Sequence, residues 1–187
     1  GIGAEAMGGI IAKSKMMGKD YNKVFTEMGH YSKEFEESMG VVAKDVNRDA
    51  AAMMNSMEHF GNMTTREFVE TAVYTRRLGI EIKTLQGIVD KFDKFEDAAK
   101  SAAMLRRQFG MMINARKMMS MTGAERTEYL RKQFQKTGKS FEKMGRIEKK
   151  ALASRLGMSV KEAAALFGKG NKEKALNKVR AVSYTHL

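Results

Sequence analysis

The stretch Ser154–Gly170, SRLGMSVKEAAALFGKG, reads as a helix end, a glycine, a short turn and a second short helix. Glycine just past a helix end accepts the left-handed backbone without a steric penalty. Met158 is then placed to staple against the following helix. Ser159 with Glu162 has the spacing of a capping box, in which each side chain satisfies the other's backbone N–H. The same outline belongs to DNA-reading helix-turn-helix units, so residues 151–168 are the first candidate for a functional element.

This grammar recurs along the chain. In FGNMTTREF, Gly61 ends a helix, Met63 is the staple, and Thr64 with Glu67 has the box spacing. In KFDKFEDAA, Phe92 precedes Asp93, and Glu96 follows three residues later. In SMTGAERTEYL, Thr122 and Glu125 repeat the pattern. Four such boxes predict four helix starts. Between them run amphipathic segments: Phe68, Ala72, Val73 and Leu78 on one face, with Arg66, Glu70 and Arg77 away from it; Ala98, Ala102, Leu105 and Phe109; Tyr129, Leu130 and Phe134; Ile147, Ala151, Leu152 and Leu156. No alternating strand pattern of useful length appears.

The expected fold is therefore all-α, an array of short amphipathic helices of ~8–16 residues joined by glycine turns at Gly61, Gly79, Gly110, Gly138 and Gly157. Residues 47–168 are expected to form the compact multi-helix domain, and 169–180 a basic helical tail. Residues 1–46 read as a glycine-interrupted and looser helical extension, with Tyr21, Val24, Phe25 and Met28 on one side of a helix. The closing AVSYTHL, residues 181–187, lacks helical period and cap and reads as a non-native tail. With no Met at position 1, the chain is expected to be a fragment of a longer protein.

Composition narrows the chemistry. Of 187 residues none is proline, cysteine or tryptophan, which excludes disulfides, thiolate metal sites and cysteine nucleophiles. None of His30, His59 and His186 has a second histidine at i+4 to make a helical metal pair. Glu58 and His59 are neighbours expected to point differently. Carboxylate pairs such as Glu36–Glu37 and Glu96–Asp97 fall on helix faces or first turns. No cofactor, metal site or catalytic set is expected. The 17 methionines suit core filling or adaptable helix packing, and pairs such as Met16–Met17, Met53–Met54, Met111–Met112 and Met118–Met119 cannot all point inward on one helix face. No apolar run is long enough to span a membrane.

The net charge of +12 is uneven: residues 131–187 hold 15 Lys and Arg against 4 Asp and Glu, a net +11. Lys139, Lys143, Arg146, Lys149, Lys150, Arg155 and Lys161 form the candidate surface for nucleic acid or an acidic partner. Base reading wants Arg, Asn, Gln or Lys on the exposed side of the second helix. VKEAAALF presents Lys161 and Glu162 and then alanines, a poor set for that task.

The segment DKFDKFEDAAKSAAMLRRQFG (90–110) and its continuation through TGAERTEYL, GKSFEKM and RLGMSVKEAAALF resemble tail tape measure proteins and related helical virion proteins of tailed bacteriophages. The preceding FVETAVYTRRLGIEIKTLQGIVDKF fits the same family, so the resemblance spans roughly Thr64 to Gly168. Lys94 and Asp97 depart from the family's FDTFEGAA-like pattern. The resemblance implies a structural role in tail assembly or length determination, with other tail proteins or copies of the chain as partners. It implies residence in the virion, and in the host cytoplasm during assembly, with the basic last third facing an acidic tube lumen. Contact with nucleic acid would then be weak and nonspecific. The alternative is a nucleic-acid-binding helical protein using residues 151–168. A membrane-active helical protein is disfavoured by the missing apolar span.

Overall fold

A computed structural model describes residues 3–60, 63–170 and 175–182. The fold is all-α, and no strand occurs among the described residues. In chain order the helices are α1 (Ala4–Met17), α2 (Tyr21–Met39), α3 (Ala43–Asn55), α4 (Met57–Phe60), α5 (Thr65–Leu78), α6 (Ile82–Lys91), α7 (Phe95–Phe109), α8 (Ala115–Met119), α9 (Gly123–Lys136), α10 (Arg146–Leu156), α11 (Val160–Phe167) and α12 (Leu176–Val182). A 3-10 turn, Phe141–Lys143, lies between α9 and α10. Gly79, Gly110, Gly138 and Gly157 all have φ between 70° and 76°, the left-handed value that ends a helix. Gly61 lies outside the described residues.

The chain divides into two compact units, 1–77 with 177–187, and 78–176. This differs from the expected boundary at residue 46. The first three helices pack on one another and bury Val24, Met28, Phe35, Val46 and Ala50, so they form a core rather than a loose extension. Gly9 of α1 marks a close helix crossing. A Cβ on Gly9 would fall 2.6 Å from the carbonyl oxygen of Ala51 in α3. Sequence periodicity sees only the missing apolar side chain there, not the backbone that fills its place.

Other differences follow from how many sides of a helix are covered. Met53 and Met54 are both fully buried, because α3 packs against α1, α2 and α4. The pair Met111–Met112 splits as expected, one buried and one 57 % exposed. On α2, Val24 and Met28 are buried while Tyr21 and Phe25 are exposed, so the inward face is narrower than the one read from the sequence. The α5 face Phe68, Ala72, Val73 and Leu78 is fully buried as expected. Glu70, expected to face away, is buried too, between Arg66 at 3.4 Å and Arg180 at 3.8 Å. The α12 helix also runs through Ala181 and Val182, two residues set aside as part of the tail.

Lys13 of α1 is almost completely buried, with its ammonium 5.2 Å above the ring of Phe68. Burial lowers its pKa from 10.5, and the nearby charge of Glu67 acts against that shift. A base whose folded pKa is lowered costs stability while it stays protonated. Stability should therefore rise as pH climbs through the folded value toward 10.5. Lys13→Met should raise stability by about 1 kcal/mol at neutral pH, the avoided ammonium burial exceeding the lost cation–π contact. Chemical denaturation at pH 7 and pH 10 checks this. An unchanged alkaline rise in the variant would assign the effect to another group.

The second unit is built around α9, whose Leu130 and Phe134 are buried as expected. Arg126, Thr127, Glu128, Arg131 and Gln133 are buried as well, because neighbours cover α9 beyond its apolar stripe. The Arg126 guanidinium donates from Nε to the carbonyl of Met121 (3.0 Å), from Nη1 to that of Val89 (2.6 Å) and from Nη2 to that of Met119 (3.1 Å). One side chain thus ties α9, the end of α6 and the turn after α8 together. Glu128 and Arg131 form a buried bidentate pair one turn further on.

Candidate nucleic-acid or acidic-partner surface

The candidate surface is carried by the 3-10 turn, α10 and α11. Packing of the helix pair follows the sequence reading closely. Gly157 makes the turn, with Ala153, Leu156, Ala163 and Leu166 all buried at the contact. Phe167 packs on Phe134 at 4.8 Å between ring centroids and on Phe141 at 6.5 Å, fastening α11 to α9 and to the 3-10 turn.

The capping box at Ser159 forms: its Oγ accepts from the N–H of Glu162 at 3.1 Å, and Glu162 accepts in return from the N–H of Ser159 at 3.0 Å. Glu162 has a second role that no local pattern announces. Its other oxygen accepts from the Thr84 hydroxyl at 2.5 Å and from the Glu81 N–H at 3.2 Å. Burial pushes its pKa up, but these hydrogen bonds outweigh it and the net shift is downward. The carboxylate is thereby committed to holding α11 against α6. What α11 turns outward is Val160, Lys161 and Ala164, with Ala165 half-buried, so a single cationic side chain remains exposed on the helix that would have to read bases.

Two of the other predicted caps differ in outcome. Thr64 and Glu67 form their box, with Thr64 N–H to Glu67 at 2.7 Å and Glu67 N–H to Thr64 Oγ1 at 3.2 Å. Asp93 and Glu96 do not. The α6 helix continues to Lys91 with Phe92 as its C-cap, so α7 starts at Phe95 behind Lys94, whose side chain makes no cap hydrogen bond. Asp93 instead faces the Arg126 guanidinium at 3.6 Å, and Glu96 stays exposed in the first turn of α7.

The seven cations do not act alike. Lys139 is paired with Glu148 at 3.5 Å. Lys149 donates to the carbonyl of Glu142 at 3.1 Å and sits over the Phe141 ring. Arg155 donates to Gln108 at 3.3 Å. Lys143, Arg146, Lys150 and Lys161 are exposed and have no ion-pair partner among the described residues. The sequence reading placed Ile147 on the inner face of α10 with Leu152 and Leu156. It is 81 % exposed and lies on the outer side, between Ser154 and Ala151 in angular position.

Glu142 organises the edge of this surface. Its carboxylate accepts from the N–H of Lys169 at 2.6 Å and from the Ser140 hydroxyl at 2.8 Å. These bonds, with the Lys169 N–H foremost, hold its pKa down to about 2. A carboxylate lowered on folding stabilises fully above its usual value near 4.5 and loses that contribution as pH falls toward about 2. Glu142→Gln should therefore be less stable than the native chain at pH 7 and equal to it near pH 2. Thermal melts across that range test the convergence; parallel curves would detach Glu142 from the acid response.

Elsewhere the candidates are sparse. His59 lies 3.5 Å from Glu58, so the two neighbours expected to diverge do meet. No three His, Cys, Asp or Glu side chains converge as a metal site among the described residues. No helix among them is long and apolar enough to cross a membrane. His186 lies outside the described residues. No protein-family model, no curated protein and no solved structure matches this chain.

Proposed function

We propose that the chain is a structural protein of a phage virion, a tape-measure-like scaffold that acts by helix packing in tail assembly or length determination. The observation that carries the packing part is the state of α11. Its apolar side and its one carboxylate are spent on contacts with α6, α9, α10 and the 3-10 turn, and its capping box closes its own first turn. Apart from Lys161, its outward residues are too small and too apolar to select a base sequence. The virion part rests on the resemblance carried by residues 64–168.

The competing reading is a nucleic-acid-binding protein, favoured by the unpaired cations Lys143, Arg146, Lys150 and Lys161. Gel shifts with duplex DNA across a salt series separate the two. The scaffold reading expects weak binding that ignores sequence and vanishes by about 200 mM salt. Selective binding that survives that salt and falls on Lys161→Ala or Arg155→Ala would overturn it. Mass spectrometry of tails purified before and after DNA ejection addresses the virion assignment directly.

A further inference from the structure

We propose that the outer side of α10 is a docking surface for an acidic helix of a partner protein that carries an apolar seam. This deepens the helix-packing reading and rests on it. The α10 helix breaks several local rules at once. Its N-cap is Gly145, which fits the position but brings no side-chain acceptor. Arg146 occupies the first helical position and Lys149 and Lys150 follow within the next turn, at the end where the helix dipole favours anions. Arg146 and Lys150 are four apart, a like-charge spacing that disfavours the helix. Only Glu148 offers compensation nearby, and it is paired with Lys139. Ile147 is the most exposed large apolar side chain among the described residues. Ile147, Lys150, Ala151 and Ser154 share one side by their spacing. Such a concentration of local violations marks a place where another surface completes the structure.

The chemistry of this side selects among occupants. Unpaired cations alone suit any polyanion. A phosphate backbone offers nothing apolar to receive Ile147, and one isoleucine beside an alanine and a serine is a thin anchor for a lipid surface. A helix with glutamates flanking a leucine seam supplies both partners: carboxylates for Lys143, Arg146 and Lys150, and a hole for Ile147. The small side chains of Ala151 and Ser154 leave room for it to lie close.

The test uses the full chain and a synthetic helical peptide of glutamate-flanked leucine heptads as probe, followed by fluorescence anisotropy. A duplex DNA and phosphatidylglycerol vesicles are run beside it. All substituted positions are surface ones, and circular dichroism verifies folding. Ile147→Ser should weaken peptide binding about tenfold while leaving any DNA binding unchanged. Arg146→Ala with Lys150→Ala should weaken both and flatten the salt dependence of each. Indifference of the peptide to Ile147→Ser would overturn the proposal, as would tighter binding to vesicles or DNA than to the peptide. Self-association abolished by Ile147→Ser would replace the acidic partner with a second copy. Absent peptide binding with weak, salt-labile DNA binding sinks this inference and leaves the scaffold reading standing. Salt-resistant, selective DNA binding sinks both.

Discussion

Arg126→Ala is expected to destabilise the second unit by roughly 3–5 kcal/mol, the range for removing a buried charged group that saturates buried partners. Three main-chain carbonyls, of Val89, Met119 and Met121, lose the guanidinium together, although that of Val89 keeps the N–H of Phe92. Arg126 is itself 4 % exposed, so its removal also leaves a void inside α9's packing. Burial pulls its pKa down and Asp93 opposes that shift, but an arginine stays charged, so the site depends on the carbonyls to solvate it. Arg126→Lys should recover only part of the loss, because an ammonium cannot span three carbonyls set for a planar fork. Urea unfolding followed by far-ultraviolet circular dichroism reads both variants. A loss below about 1 kcal/mol for the alanine variant would mean that water replaces the guanidinium at little cost.

Gly9→Val is the second large effect, expected at about 3 kcal/mol or more. The new Cβ would sit 2.6 Å from the Ala51 carbonyl oxygen and 2.8 Å from the Asn55 amide nitrogen, both backbone atoms of α3 that cannot rotate away. The two helices must separate, and the buried surface between them opens. Gly8→Ala is the internal control. Its nearest neighbour would be the Asn55 side chain at 3.7 Å, an ordinary contact. That change should be neutral or stabilising by up to ~1 kcal/mol, the usual gain over glycine inside a helix. Equal effects at the two positions would remove the close crossing as the reason for glycine at position 9.

These two residues also show where reading the sequence stops. Glycine at position 9 looks like a weakness in a helix, and it counted toward a loose N-terminal extension. Whether a glycine loosens a helix or admits a neighbour depends on what lies opposite, here Ala51 and Asn55, more than 40 positions away. Arg126 falls on the polar side of its helix and carries no motif. Its three acceptors are carbonyls, and a carbonyl leaves no trace in residue identity. Asp93 failed as a cap for a related reason. Its spacing to Glu96 was right, but α6 ran on to Lys91 and moved the next start to Phe95.

The candidate surface divides in the same way. The cations of residues 139–161 were legible as a cluster, since charge can be counted. Which of them are already engaged, Lys139 with Glu148 and Arg155 with Gln108, was not. The spacing of Ile147 to Ala151 and Leu152 fits a helical face and so predicts it inward. The face that packs is the neighbouring one, through Leu152, Ala153 and Leu156.

By itself the sequence determined the helical class, the left-handed glycine ends and three of four capping boxes, those at Thr64, Thr122 and Ser159. These are local: each depends on side chains three or four positions apart and on the backbone freedom of one residue. Only the tertiary structure decided where the units divide, why α1 carries Gly9, what Arg126 and Glu162 hold, and that Ile147 faces out. Those depend on atoms brought together from distant positions, many of them backbone atoms identical at every residue.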